Sequence, residues 1–174
     1  QSHSNYDKLT RTLHWLVALG IFIMIGIGIT FNYIAHSGSL FETLMYLHKS
    51  IGMTILFLML IRVFWRMTFM RIPPYDPPLS KMNITIAHIA HMLIYTGIFV
   101  MLSSGWLGSS MLGYPVPFWF VNLALPVAGH PDIAGWMFEI HGIAIWVLGG
   151  IIILHILGAI MHNLKKEKVI QRML

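Results

Sequence analysis

The residues best suited to redox chemistry in this chain are two histidines, His141 and His155, on one hydrophobic segment. They lie 14 residues apart, which on an α-helix is a rise of about 21 Å with about 40° between the two side chains. The run 136–162 around them carries almost no charge and is long enough to cross a bilayer. Both rings could simply hydrogen-bond inside a bundle, but ionisable groups at membrane depth are costly and rare. The spacing therefore favours two metal centres stacked across a membrane, as transmembrane electron transfer needs.

The composition places the chain in a membrane. Of its 174 residues, 57% are hydrophobic and 10% charged, with a mean hydropathy of +0.74, whereas soluble domains have roughly 25% charged residues. Cysteine is absent, which excludes disulfides, thiolate metal sites, iron–sulfur clusters and covalently attached c-type haem.

Four apolar segments are long enough to span the hydrocarbon layer. We predict an all-α fold, an integral membrane four-helix bundle that forms one domain over residues 1–174. Its helices are expected at about 9–31, 45–69, 82–110 and 134–163.

The basic residues predict the orientation of this bundle. With four helices, all but one of the Lys and Arg residues fall on one side, together with both termini and the proline-rich loop 73–78. Only Lys49 falls on the other side. The positive-inside rule then puts both termini in the cytoplasm. This placement also accounts for the net charge of +5 without a nucleic acid partner.

The orientation sorts the histidines by depth. Two of them, His48 and His141, lie near the outer side and can pair. A larger group lies toward the inner side: His14, His88, His91, His155 and His162. A low-spin b-type haem needs two imidazoles about 4 Å apart across its iron. Zinc and copper sites instead gather their ligands at one point.

Several short motifs, taken in their order and spacing along the chain, resemble the bacterial cytochrome b561 family. The resemblance covers essentially the whole chain. The motifs are Leu13-His14-Trp15-Leu16, Leu47-His48-Lys49-Ser50-Ile51-Gly52 with Arg62 following, Ala87-His88-Ile89-Ala90-His91 leading to Tyr95, and His141-Gly142 through His155 and His162 to the basic tail.

The resemblance implies two non-covalent haem b groups. By position, His48 and His141 match the axial ligands of the outer haem iron, and His14 and His155 those of the inner one. Since His91 lies at a depth similar to that of His155, a His91–His155 pair remains an alternative for the inner haem.

The resemblance also implies a quinone site at the cytoplasmic side, near His91 and His162, with ubiquinone as the expected electron acceptor. Either histidine could supply protons to a reduced quinone. Arg62 lies where a haem propionate or a quinone headgroup could be paired by its guanidinium fork.

Together these features predict a multi-pass dihaem cytochrome of the bacterial inner membrane, surrounded by lipid, that passes electrons to quinone. Some bacterial members of the family oxidise superoxide at the outer face, which would make the chain a superoxide:ubiquinone oxidoreductase; a periplasmic donor protein is the other possible source of electrons. An alternative is an anchoring cytochrome subunit for a separate dehydrogenase or hydrogenase, with the apolar stretch 113–128 as its interface. A haem-free bundle, with histidines as polar contacts, is the third hypothesis and predicts a colourless protein.

Overall fold

A computed structural model describes residues 5–174; the first four residues of the predicted domain lie outside this part. Four helices dominate it, α1 (Lys8–Thr30), α2 (Ser39–Thr68), α3 (Lys81–Met111) and α4 (Pro131–Leu164). Two-residue strands β1 (Pro117–Phe118) and β2 (Val121–Asn122) and a short 3₁₀ turn, Gln171–Met173, complete the architecture. All four helices are long and apolar enough to cross a membrane. The predicted membrane four-helix bundle is confirmed.

Local capping signals decide where the helices begin. The Asp7 carboxylate accepts from the Thr10 amide at the start of α1, and the Ser80 hydroxyl accepts from the Asn83 amide at the start of α3. Helix α2 begins at Ser39, after Gly38 in a left-handed conformation (φ 91°), and so starts earlier than the apolar segment at 45 suggested. Because a helix tolerates polar residues in its first turns, hydrophobicity locates the membrane span and not the helix start.

A small core joins the four helices. Val17, Ile55, Met59, Ile98 and Leu148 are buried together, with at least one residue from each helix. Many other apolar side chains are exposed on the outside of the bundle. In a membrane this arrangement is expected, because the lipid covers the outer surface.

One end of the bundle gathers both chain termini and the loop between α2 and α3. The Tyr6 amide donates to the Arg172 carbonyl at 3.0 Å, and the buried Arg172 guanidinium donates to the Pro73 carbonyl. The Arg172 guanidinium also lies 3.8 Å from the centroid of the Tyr75 ring. We call this the basic end, and the opposite end, which carries β1 and β2, the hairpin end.

At the hairpin end, the antiparallel pair β1–β2 packs against the side of α2. The Ser50 hydroxyl lies 3.2 Å from both the Pro117 carbonyl and the Trp119 amide, and the Trp119 indole donates to Thr54 Oγ1 at 3.0 Å. Side chains of α2 thus provide hydrogen-bond partners for backbone groups of the hairpin. Backbone groups beside a membrane need such partners, because lipid offers none. The Phe120 side chain at its tip is fully exposed.

Candidate functional site

A pair of histidines faces across the bundle at the hairpin end. His48 on α2 and His141 on α4 have ring centroids 6.2 Å apart, with 73° between their planes. Both line a cavity of about 70 Å³ between the helices. The cavity walls are apolar and come from all four helices, with Ile21, Ile55 and Ile98 among them.

The separation of these rings fits a six-coordinate metal between them. Two metal–nitrogen bonds of about 2 Å each, with about 1 Å from each nitrogen to its ring centre, give a centroid separation of about 6 Å. The His48–His141 pair therefore has the spacing that the two axial ligands of a haem would need.

The His141 ring is held in the protonation state that a metal ligand requires. Its Nδ1 lies 2.7 Å from the Met101 carbonyl oxygen. Since a carbonyl only accepts, Nδ1 must be the donor, and in the neutral ring Nε2 then carries the free lone pair. A ligand histidine commonly has such a backbone partner on its second nitrogen.

Gly105 makes this contact possible. It lies one turn after Met101 on α3, and a Cβ atom built there would come within 3.0 Å of the His141 ring. The absence of a side chain therefore lets the ring reach the carbonyl. The sequence analysis did not single out Gly105; a glycine one turn from an inward-facing residue is common in membrane helices, where it usually indicates close helix packing.

The opposing ring, His48, has a buried nitrogen with nothing to bond. Its Nδ1 has no hydrogen-bond partner, and its ring packs edge-on to Phe31 with 5.5 Å between centroids. A buried polar atom without a partner is costly, and no group within residues 5–174 satisfies this one.

Three histidines meet toward the basic end. The His155 ring on α4 lies 6.5 Å from His14 on α1 and 5.2 Å from His91 on α3, centroid to centroid. Only the first separation leaves room for a metal ion bonded to both rings, by the same arithmetic of about 6 Å. Within residues 5–174 no group of three or more His, Cys, Asp or Glu side chains is arranged to hold a metal ion. The candidate metal ligands are therefore the histidine pairs.

The profile of the prokaryotic cytochrome b561 family matches residues 5–174. The chain belongs to this family. It is therefore a membrane electron-transfer protein of the b-type haem class. Its sequence is also 29% identical to "Cytochrome b561 homolog 2" of Escherichia coli (strain K12) over 180 residues, covering 97% of this chain and 90% of that protein.

Arg62 of this b561-family cytochrome contacts the basic-end histidines. Its Nη2 lies 3.0 Å from His14 Nδ1, and its guanidinium lies 5.1 Å from the centroid of the Tyr95 ring. A guanidinium only donates, so His14 Nδ1 accepts and the neutral ring carries its proton on Nε2. The Nε of Arg62 is buried without a partner. An iron bound through His14 Nε2 therefore requires Arg62 to release this ring.

The remaining predicted site residue, His162, lies apart from both pairs. It follows His155 by two helical turns on α4, near the end of the helix. Its Nδ1 lies 2.5 Å from a carboxylate oxygen of Glu167. Glu167 was not predicted as a site residue, because a lone acid within a basic tail gives no signal of its own.

Proposed function

We propose that this cytochrome holds two b-type haems, one near each end of the bundle, and passes electrons from the hairpin end to a quinone at the basic end. The observation that carries the proposal is the occurrence of two imidazole pairs, with ring centroids 6.2 and 6.5 Å apart, at different depths. Their members on α4, His141 and His155, are separated by a helical rise of about 21 Å. When bound, the haems supply reversible one-electron chemistry at iron.

The hairpin-end haem is assigned to His48 and His141. His141 would bind a haem iron through Nε2, because Met101 keeps the proton on Nδ1. The apolar walls of the cavity would exclude water from a haem held there, and both the hydrogen bonding and the burial of a haem influence its potential.

The basic-end haem is assigned to His14 and His155. The separation of 6.5 Å supports this pair over His91 and His155, whose rings are too close at 5.2 Å. Arg62, which now contacts His14 Nδ1, would have to leave this nitrogen for His14 to bind iron through Nε2, and its guanidinium would then offer a propionate a matching fork of donors.

The electron acceptor is proposed to be ubiquinone, bound near His91 and His162. These two imidazoles provide protons to the reduced quinone from the basic end. That end carries nearly all the Lys and Arg residues, and the positive-inside rule supports its placement in the cytoplasm and the chain's placement in the bacterial inner membrane.

Superoxide is proposed as the electron donor at the hairpin end. Lys49, beside His48 in sequence, is the cation of this end; its Nζ donates to the Pro115 carbonyl at 2.8 Å, and its charge attracts small anions. Two superoxide anions each lose one electron to give oxygen, and one quinone takes up both electrons with two protons.

The test is the spectrum of the purified protein together with a pyridine haemochrome assay. Two b haems per chain and an α band on dithionite reduction are expected. A single haem would contradict one of the two pairs, and a colourless protein in the correct fold would contradict both. Superoxide should then reduce the haems, and an added ubiquinone analogue should reoxidise them.

An anchoring subunit for a separate dehydrogenase or hydrogenase is the second candidate function. The full exposure of Phe120 at the tip of the hairpin favours it, because an aromatic residue there can contact a partner as well as lipid. If the purified chain binds both haems but accepts no electrons from superoxide, this candidate is favoured over the oxidase.

A further inference from the structure

We propose that Glu167 is a positioning residue for quinone reduction, which acts by fixing the orientation and the proton of His162. This inference rests on the proposed function, since it takes His162 as the proton donor to ubiquinone. It assigns a role to a carboxylate outside both haem-ligand pairs.

The two side chains form a partly buried pair. His162 Nδ1 lies 2.5 Å from Glu167 Oε2, and the two side chains are 16% and 22% exposed. No other ion pair occurs within residues 5–174. Partial burial matters because exposed pairs of this kind are screened and contribute little.

The backbone after α4 is bent so that Glu167 returns to the helix. The Glu167 amide donates to the His162 carbonyl at 3.0 Å. The residues on either side, Lys166 and Lys168, have φ angles of 61° and 47°, in the left-handed region that residues with a Cβ rarely adopt. A residue with positive φ just after the last helical turn is a common way for a helix to end, and here the Lys166 amide also donates to the Asn163 carbonyl at 3.0 Å. This turn brings the Glu167 side chain back to His162.

The charged residues around the pair are mostly cationic. Lys165, Lys166 and Lys168 lie on its own segment, Lys81 begins α3 at the same end, and Arg172 lies in the 3₁₀ turn. Two other acids lie at this end: Asp7, whose carboxylate accepts from Thr10 and Trp65, and Asp76 in the loop between α2 and α3. Within residues 5–174, Glu167 is the acid that contacts a histidine side chain.

The chemical consequence concerns the second nitrogen of the ring. An ionised carboxylate only accepts, so His162 Nδ1 donates to Glu167 and Nε2 is left as the nitrogen that faces the quinone. Ubiquinone takes two electrons from the haem chain and two protons to become ubiquinol. When the protonated ring transfers its Nε2 proton, an N–H bond breaks and an O–H bond forms on the quinone; the ring then regains a proton from water at the basic end. An acid behind the ring that holds its orientation and its tautomer is an established arrangement in proton transfer.

The experiment compares Glu167→Gln and Glu167→Asp with the wild type in lipid nanodiscs containing both haems. Glu139→Gln is the matched control, since it makes the same chemical change near the start of α4, away from His162. Two quantities are measured at one fixed pH: the rate at which a ubiquinone analogue reoxidises the reduced haems, and the nitrogen resonances of ¹⁵N-labelled His162 in the reduced, diamagnetic protein.

In the wild type, His162 is expected to be a single tautomer with the proton on Nδ1. Glu167→Gln should slow reoxidation roughly 10- to 100-fold, as losses of outer-shell partners do. The quinone concentration for half-maximal rate should change less than about twofold, because Glu167 is not expected to touch the quinone. The ring should become a mixture of tautomers, Glu167→Asp should recover part of the rate, and Glu139→Gln should change neither quantity.

A wild-type rate in Glu167→Gln, or a mixture of tautomers in the wild type, would overturn the role of Glu167. If Glu167→Gln does not fold, Glu167→Asp decides the question. A wild-type rate and a wild-type tautomer in Glu167→Asp would show that the contact of the longer Glu167 side chain with His162 is not required. If the wild type, with both haems bound, is not reoxidised by the quinone at all, it is the quinone proposal that fails. The tautomer then still tests the Glu167–His162 contact separately.

Discussion

The imidazole pairs at the two ends of the bundle differ in how well their present hydrogen bonds suit a metal ligand. At the hairpin end, a backbone carbonyl has already set the proton of His141 on Nδ1, and the facing His48 has a free buried nitrogen beside a cavity. At the basic end, a guanidinium occupies His14, and a third histidine, His91, lies nearer to His155 than His14 does.

The difference shows that similar residue types can form sites of different pre-organisation. A carbonyl acceptor favours the ligand tautomer, whereas a guanidinium donor favours the opposite one. We therefore expect the hairpin-end haem to find His141 already in the tautomer of a metal ligand, and the basic-end haem to require a rearrangement of Arg62.

The largest effect should come from removing single ligands. His141→Ala should lose the hairpin-end haem and leave about one haem per chain, because one imidazole cannot provide both axial bonds. His155→Ala should likewise lose the basic-end haem, and His91→Ala should keep both. Pyridine haemochrome analysis of the three variants measures this directly. Loss of a haem in His91→Ala with retention of both in His14→Ala would reassign the basic-end pair to His91 and His155.

A methyl group at Gly105 should weaken the hairpin-end site alone. The added Cβ would lie 3.0 Å from the His141 ring, and overpacking of this kind costs about 1–3 kcal/mol. Gly105→Ala should therefore weaken haem binding at the hairpin end roughly 5- to 150-fold, as measured by haem titration of the apoprotein. Gly142→Ala is the control, since nothing lies within 4 Å of a Cβ there. Equal effects of the two changes would contradict the proposed role of Gly105.

How far the sequence predicts this molecule depends on what each signal measures. Hydrophobic length predicted four spanning helices, because a helix must match the thickness of a membrane to cross it. The distribution of Lys and Arg predicted the orientation of the bundle, which stays a prediction. The start of α2 at Ser39 was not predicted, since helix ends depend on Gly38 and on capping.

The histidines of the candidate site could be sorted by depth, but their partners could not. The contacts of His141 with Met101 and of His14 with Arg62 depend on the rotation and approach of neighbouring helices. Gly105 matters because its missing side chain leaves space for the His141 ring. Glu167 is placed by the turn after α4, in which the two flanking residues have positive φ angles. Such features are set by tertiary packing, which spacing along one helix does not determine.

Replacing Arg62 should affect the basic end without affecting the hairpin end. If the guanidinium pairs with a propionate once the haem is bound, Arg62→Gln removes a positive charge near that iron and favours its oxidised form. We expect the basic-end midpoint potential to fall by roughly 60 mV, which is about 1.4 kcal/mol for one electron, while the hairpin-end potential stays constant. A redox titration followed by the α band separates the two. A shift at both ends, or at neither, would contradict the proposed position of Arg62.

The smallest effect concerns the acid stability of the basic end, where α1 begins. Burial opposes ionisation of Asp7, but hydrogen bonds from Thr10 and from the Trp65 indole outweigh it and lower the pKa of Asp7 in the folded protein. Because the folded pKa lies below the unfolded one, the ionised carboxylate stabilises the fold above the unfolded value of about 3.9, and this contribution is lost as the pH falls through the folded pKa. Asp7→Asn should therefore lower the thermal midpoint slightly at neutral pH and by less at about pH 3.

Thermal unfolding in nanodiscs at both pH values measures this difference, and Asp132→Asn at the start of α4 provides a control at the hairpin end. Asp7 joins the start of α1 to α2 through Trp65, so its loss should also loosen the region that positions His14, two turns further along α1. A slower recovery of the basic-end haem after unfolding, with normal recovery at the hairpin end, would extend the contrast between the two sites to their assembly. Equal recovery at both ends would confine the role of Asp7 to capping the helix.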